Sequence, residues 1–382
     1  MDSGGPGLGF VRQSLFAVFT RNHLPPGPNA TSKIAMSQSG ERHEFASDNT
    51  AGICPEAWAA LENANTNEVS SYGEDQWTAR VCDRIREIFE TDCDVYFVFN
   101  GTAANALALA QLCHSFESVI CHEHSHIHTD ECGAPEFFTK GSKLLLIDGA
   151  NGKIDINQAA VMIARQNKLH SHRPRAISIT QSTELGAIYR PEEIEAISRF
   201  ALAREMLLHM DGARFANAVA ALNCTPKAVT WEVGVDVLCF GGTKNGVAAG
   251  ELVIFFKKEL SREFDYRLKQ GGQLGSKMRF LAAQWLALLA DGVWLKNARH
   301  ANSAASRLAS RLQNEANIEI VFPVRANAVF VRMNDQLVRD LETHGWRFYK
   351  FIERDVYRLM GSWATTDEEI SDFIADVIAL NH

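Results

Sequence analysis

No part of this 382-residue sequence is apolar for long enough to cross a bilayer. Basic excess is lacking too: 38 Lys and Arg stand against 46 Asp and Glu, a net charge of −8. That leaves no basic stripe of the kind a general nucleic-acid binder needs. The eight cysteines include no C-x-x-C pair, and several, such as Cys239, lie inside apolar runs. A disulfide framework is therefore not expected at this size; reduced, buried thiols in a cytoplasmic protein are.

What is present is ordinary for a globular chain, 46% apolar and 22% charged. The length suits one large α/β domain and a smaller one. Residues 1–40 differ from the rest, with Gly4, Gly5, Pro6, Gly7 and Gly9 at the start and Pro25-Pro26-Gly27-Pro28 further on. This segment reads as a disordered extension before a functional start at Met36, or as a targeting peptide. Residues 41–290 are expected to form the large α/β domain and 291–382 a small α+β domain.

The chain is organised around Leu238-Cys239-Phe240-Gly241-Gly242-Thr243-Lys244. Val235 to Phe240 reads as a buried strand, since it is short, apolar and bounded by glycines. It runs into two glycines and then presents a single lysine. A second strand, Leu207 to Asp211, ends in an acid 33 residues earlier. A lysine and an acid at the ends of neighbouring parallel strands suit a pyridoxal phosphate site. The amine takes the aldehyde, and the carboxylate keeps the pyridine nitrogen protonated. A solvated lysine and a capping acid are the plainer alternatives.

Further strands are expected at Asp94–Phe99, Val119–Cys121, Lys143–Asp148, Arg175–Thr180 and Glu251–Phe256, seven in all, with helices between several of them. That alternation predicts a mostly parallel sheet covered on both faces, with ligands beyond the carboxyl ends of its strands. Thr102, Glu184, Asp211 and Lys244 all fall there. Asn100-Gly101-Thr102-Ala103-Ala104-Asn105 joins a strand to a helix, a turn able to cradle an anion on free backbone N–H groups. His122, His124, His126 and His128 alternate, yet in-line imidazoles without a cysteine pair converge poorly on one ion. No metal is expected; instead one imidazole stacks on a planar cofactor. Arg358, among hydrophobes in a C-terminal strand, needs a carboxylate, from either a structural ion pair or a substrate.

In order, Ala46-Ser47-Asp48-Asn49, Tyr72-Gly73-Glu74-Asp75, Phe99-Asn100-Gly101-Thr102-Ala103-Ala104-Asn105, Asp130-Glu131-Cys132-Gly133-Ala134, His209-Met210-Asp211-Gly212-Ala213-Arg214 and Gly241-Gly242-Thr243-Lys244-Asn245-Gly246 span the chain from about Phe45 onward. This set resembles the low-specificity L-threonine aldolases, and their pseudomonad-type branch in particular. Those are pyridoxal 5'-phosphate enzymes of fold type I, with the architecture of aspartate aminotransferase. The resemblance implies that Lys244 carries the cofactor, Asp211 pairs with its ring nitrogen and His126 stacks on the ring. Gly101, Thr102, Ala103, Thr243 and Lys277 would complete the cofactor contacts. Ser47, Arg214 and Arg358 would hold the substrate carboxylate, while Tyr72 would reach toward a neighbouring subunit's site. It further implies a homo-oligomer, dimer or tetramer, with shared active sites. Two positions depart from the family: Gln181-Ser182-Thr183-Glu184 stands where many members have a histidine, and the partner subunit's phosphate-binding arginine has no direct counterpart, with Lys277 and Arg279 as substitutes.

The expected reaction is retro-aldol cleavage of a β-hydroxy-α-amino acid to glycine and an aldehyde, with Glu184, His126 or a water between them as base. Two other readings stand beside it. One is another pyridoxal phosphate reaction, such as β-elimination, racemisation or transamination. The other is a non-catalytic α/β ligand-binding protein.

Overall fold

The computed structural model describes residues 43–166, 168–352 and 355–381; the expected N-terminal extension lies outside them. Seven strands build the main sheet: β1 Asp94–Val98, β2 Glu117–His122, β3 Lys143–Ile147, β4 Arg173–Thr180, β5 Leu207–Gly212, β6 Val237–Gly241 and β7 Glu251–Phe255. Their spatial order is β1-β7-β6-β5-β4-β2-β3. Only β7 runs antiparallel to its neighbours. The expected mostly parallel seven-stranded sheet is thus the one observed, with strand ends within a few residues of those read from the sequence.

The central strands are buried on both faces, which is why they read as continuous apolar runs rather than alternating ones. Helix Gly101–Leu112 is apolar nearly all round, and it is buried nearly all round. Helix Gln76–Phe89 is amphipathic instead. Asp75 caps it, accepting from Thr78 N–H at 2.9 Å. At the heart of the core, Phe240 of β6 meets Phe215, Trp285 and Trp294 edge-on, at 5.2, 5.0 and 5.5 Å between centroids. Each such pair adds about 0.5–1.5 kcal/mol beyond area burial. β6 is therefore held rigidly just before the lysine it presents.

A second sheet is antiparallel, with Tyr349–Lys350, Val356–Met360, Ala328–Arg332 and Glu319–Ile320 in that order. Period-two alternation splits Val356–Met360 between two apolar clusters. Tyr357 and Leu359 join Trp346 and Phe373, while Val356 and Met360 join Phe330. Arg358 shares the second face. The long helix Val293–Glu315 contributes its first half to the core of the main sheet and its second half to that of the small sheet.

The short pairing of His43–Glu44 with Trp346–Arg347 is a feature that local pattern did not reveal. Phe45 follows it and packs on Trp346 and Phe373, at 5.7 and 5.2 Å. This anchors the start of the described chain on the small sheet and delivers residues 47–50 to the strand ends of the large one. The four alternating histidines do not share one extended face. β2 stops at His122, a turn follows, and His126 opens the short helix His126–Thr129.

Candidate active site

Two adjoining cavities of about 410 and 620 Å³ lie beyond the carboxyl ends of the parallel strands, and Asn49, His126 and Lys244 line both. The smaller one is walled by Gly101, Thr102, Asn105, Asp211, Thr243 and Glu251 among others. The larger is walled by Ser47, Glu184, Arg214, Tyr349, Phe351 and Arg358 among others. A third cavity, of about 660 Å³, lies between Lys153, Arg190 and Arg325 and contains none of the expected site residues.

Two glycines bring Lys244 to this place. A Cβ on Gly242 would lie 2.6 Å from the Trp285 ring and 2.8 Å from Gly250 O, and one on Gly241 would overlap Ala213. Close approach of backbones, not an unusual φ, is what demands glycine here. Past the turn, Asn245 Nδ2 donates to Trp294 O at 2.9 Å and Asn297 Nδ2 donates to Asn245 O at 2.9 Å. Glu251 accepts the Gly242 N–H at 2.5 Å. Burial pushes its carboxyl up to about 7, with the Thr243 and Gly242 hydrogen bonds pulling the other way.

Asp211 closes β5. Its Oδ1 accepts the Ala213 N–H at 3.0 Å and its Oδ2 accepts from Asn105 Nδ2 at 3.0 Å. Asn105 Nδ2 also donates to Glu131 Oε1 at 2.8 Å, and that oxygen meets His126 Nδ1 at 2.9 Å. Burial disfavours the charged His126 ring, but Glu131, Asp211 and Glu184 outweigh it and raise its pKa. Ligand atoms of His126, Glu131 and Asp211 lie within 4.8 Å of one another. Three carboxylate oxygens of this cluster already accept hydrogen bonds.

The helix Gly101–Leu112 starts at the wall of the smaller cavity. Asn100 caps it by accepting the Ala103 N–H at 2.9 Å, so that amide is engaged while those of Gly101 and Thr102 precede it at the open end. A Cβ on Gly101 would point into open space.

Arg214 makes a bidentate pair with Asp48, Nε to Oδ2 at 2.8 Å and Nη2 to Oδ1 at 2.9 Å, with both side chains buried. Asn327 Nδ2 adds a third bond to Asp48 Oδ2 at 2.9 Å. Burial works against the Asp48 charge, but Arg214 and then Lys244 overcome it and hold the carboxyl at about 2. Arg358 is differently placed. Its guanidinium lies over Phe351 at 4.6 Å, Nη1 is 3.8 Å from Glu184 Oε2, and Nε is buried without a partner. Burial and the like charge of Arg214 lower its pKa. One neutralised arginine beside one under-neutralised arginine makes a cavity wall that attracts an anion.

Lys277 and Tyr72 stand apart. Both are exposed and neither lines the cavities, yet Tyr72 N–H donates to Ser276 O at 3.1 Å, so they share one surface. Sequence reasoning gave no site role to Asn105, Glu251, Asn327 or Asp48. Asp48 and Arg214 are 166 positions apart, and no local pattern links them.

Residues 44–336 match the beta-eliminating lyase family. The chain is 52% identical over 340 residues to a low-specificity L-threonine aldolase of a Pseudomonas species, covering 89% of this chain and 98% of that protein. It belongs to this family. A second aldolase of that name, from Pseudomonas aeruginosa, is 51% identical over 87% of the chain and 96% of its own length. Among solved structures, the threonine aldolase of Leishmania major superposes with a TM-score of 0.84 at 26% identity, covering 89% of this chain and all of that one. The Sphingomonas wittichii serine palmitoyltransferase, at 12% identity and a TM-score of 0.68, shares the fold alone.

Members of this lyase family use pyridoxal phosphate, and the fold is that of type I pyridoxal phosphate enzymes. The residues of the smaller cavity fit that group: one amine at Lys244, one acid at Asp211, and a helix N-terminus opening on the space that a Gly101 Cβ would fill. Among the described residues, no helix is long and apolar enough to cross a membrane.

Proposed function

We propose that this lyase cleaves L-threonine, L-allo-threonine and related β-hydroxy-α-amino acids such as phenylserine to glycine and an aldehyde. The observation carrying this reading is the meeting of Lys244 and Asp211 in one cavity that opens directly on Arg358 and Arg214. When bound, pyridoxal phosphate supplies an aldehyde for an amine and a ring that withdraws the electron pair left at Cα.

The protein's own groups divide the remaining work. Lys244, the amine in the smaller cavity, would hold the cofactor's aldehyde, and Asp211 would accept a hydrogen bond from its ring nitrogen. His126, which lines both cavities, would stack on the ring. The amides of Gly101 and Thr102 and the Thr102 hydroxyl would receive the phosphate, with Thr243, whose hydroxyl bonds Glu251, beside them and Ala103 acting through the helix dipole because its amide is capped. Arg358 takes the substrate carboxylate, with Ser47 beside it. Arg214, clamped by Asp48, adds its remaining N–H groups and its charge. Holding the carboxylate there would orient the substrate's Cα–Cβ bond for cleavage. Glu184, 3.8 Å from Arg358, and His126 flank the place where the β-hydroxyl would lie, so either, or a water between them, takes its proton.

Exposed Tyr72, Lys277 and Lys269, whose Nζ lies 4.5 Å over the Tyr72 ring, form a face that suits a second copy of the chain. On this reading the protein is a cytoplasmic homo-oligomer, a dimer or tetramer, and that face supplies contacts to a neighbour's site. A two-domain division at 290/291 fits the same scheme.

Lys244→Ala should remove both the visible absorbance of the bound cofactor and glycine release from L-threonine. Glycine and acetaldehyde formed at an undiminished rate by that variant would refute the assignment. His126→Phe is expected to retain more activity than His126→Ala if stacking is the ring's main role. Sedimentation of the purified protein as a monomer would refute the shared-site scheme.

A further inference from the structure

Asn105 lies in the second turn of helix Gly101–Leu112 and is 2% exposed. Its amide nitrogen donates one hydrogen to Asp211 Oδ2 at 3.0 Å and the other to Glu131 Oε1 at 2.8 Å. Two buried carboxylates thus share one neutral donor. Its own Oδ1 is buried without a partner. The opposite amide orientation would aim that oxygen at both carboxylates, so the donor orientation is the one chemistry allows.

Like charges this close oppose each other's ionisation, and a hydrogen bond to the charged form favours it. Burial, with Asp211 as a neighbour, raises the Glu131 pKa, while His126 and Asn105 oppose the rise. Other ionisable groups surround the pair. On the same strand, His209 is held neutral by burial, at about 4, and burial drives the Cys239 thiol of β6 well above its usual range. Arg214 stays charged. Glu184 and Lys244 reach the site from the loop after β4 and the turn after β6. Around the pair, Glu131, Asp211 and Glu184 raise the His126 pKa, and burial pushes Glu251, on the β7 wall of the same cavity, up to about 7; Asn105 donates to both acids.

We propose that Asn105 is a positioning residue that keeps Asp211 and Glu131 ionised together, and so sets the pH below which the protein releases pyridoxal phosphate. This rests on the reading of Asp211 as the acceptor for the ring nitrogen. A carboxylate deprived of its donor holds a proton more tightly, and a protonated Asp211 cannot balance a charged ring nitrogen.

The test is the dissociation constant of pyridoxal phosphate from apo-protein, followed by absorbance between pH 5 and 9. Asn105→Leu, close in volume, should bind like wild type at pH 9. Its acid limb should move up by about one pH unit, giving roughly tenfold weaker binding on that limb. Asn105→Ser keeps a single hydrogen and should move about half as far; it carries the test if the leucine variant does not fold. The same displacement is expected in a His126→Phe background. Weakening by an equal factor at every pH, an unmoved limb, or a displacement that vanishes in the His126→Phe background would overturn the proposal. If wild type bound no cofactor, or Asp211→Asn left the pH profile unchanged, the reading of Asp211 itself would fail instead.

Discussion

Asp48 offers the sharpest test of how the site is held. Its folded carboxyl sits at about 2 against a model-compound value of 3.8, because Arg214 and Lys244 outweigh the cost of burial. By linkage this is worth about 2–3 kcal/mol. The folded state binds the proton less readily, so the contribution is complete above pH 3.8 and is lost as pH falls through 2. Removing the charge at neutral pH does more than forfeit that sum. Asp48→Asn leaves the buried Arg214 guanidinium without its counter-charge, and orphaning one member of a buried pair costs about 3–5 kcal/mol. Urea unfolding at pH 7, followed by tryptophan fluorescence, should show a loss of that size. Adding Arg214→Met removes the stranded charge and should recover about 2 kcal/mol. Equal stability of wild type and Asp48→Asn, or a double variant in which the two losses simply add, would refute the reasoning.

Glu251 should behave in the opposite sense. Its folded carboxyl is raised from 4.5 to about 7, so the fold loses about 3 kcal/mol as pH climbs through that interval, and Glu251→Gln should grow more stable than wild type between pH 5 and pH 8 by thermal unfolding. Gly242→Ala places a Cβ against Trp285 and Gly250 and should cost about 1–3 kcal/mol, visible as a lower unfolding midpoint. Arg358→Leu removes the cavity arginine that, unlike Arg214, makes no bidentate pair with a carboxylate. It should lower kcat/KM for L-threonine by about 2 kcal/mol, roughly thirtyfold, chiefly through KM; an unchanged KM would place the substrate carboxylate elsewhere.

The main sheet was legible because its strands are buried on both faces and its turns carry Gly, Pro and capping acids. Seven apolar runs with helices between them leave few other ways to hide that surface. Lys244 and Asp211 were legible for the same reason, since each ends a run whose strand nature was plain, and β5 and β6 pair side by side. Of the alternating histidines the resemblance singled out His126, and a turn after His122 carries it off the strand to meet Glu131. Pro226–Val229 and Trp231–Val233 form two separate 3-10 turns.

What the sequence determined by itself was therefore everything governed by neighbours along the chain: strand, turn and helix, and which residue each strand delivers at its end. What only the tertiary structure decided was pairing at a distance. Asp48 takes the Arg214 fork from 166 residues away, Asn105 bridges Glu131 and Asp211 across three elements, and Arg358 is left facing the cavity on the second sheet. Charge and hydrogen-bond complementarity act through space, and sequence separation carries no trace of them.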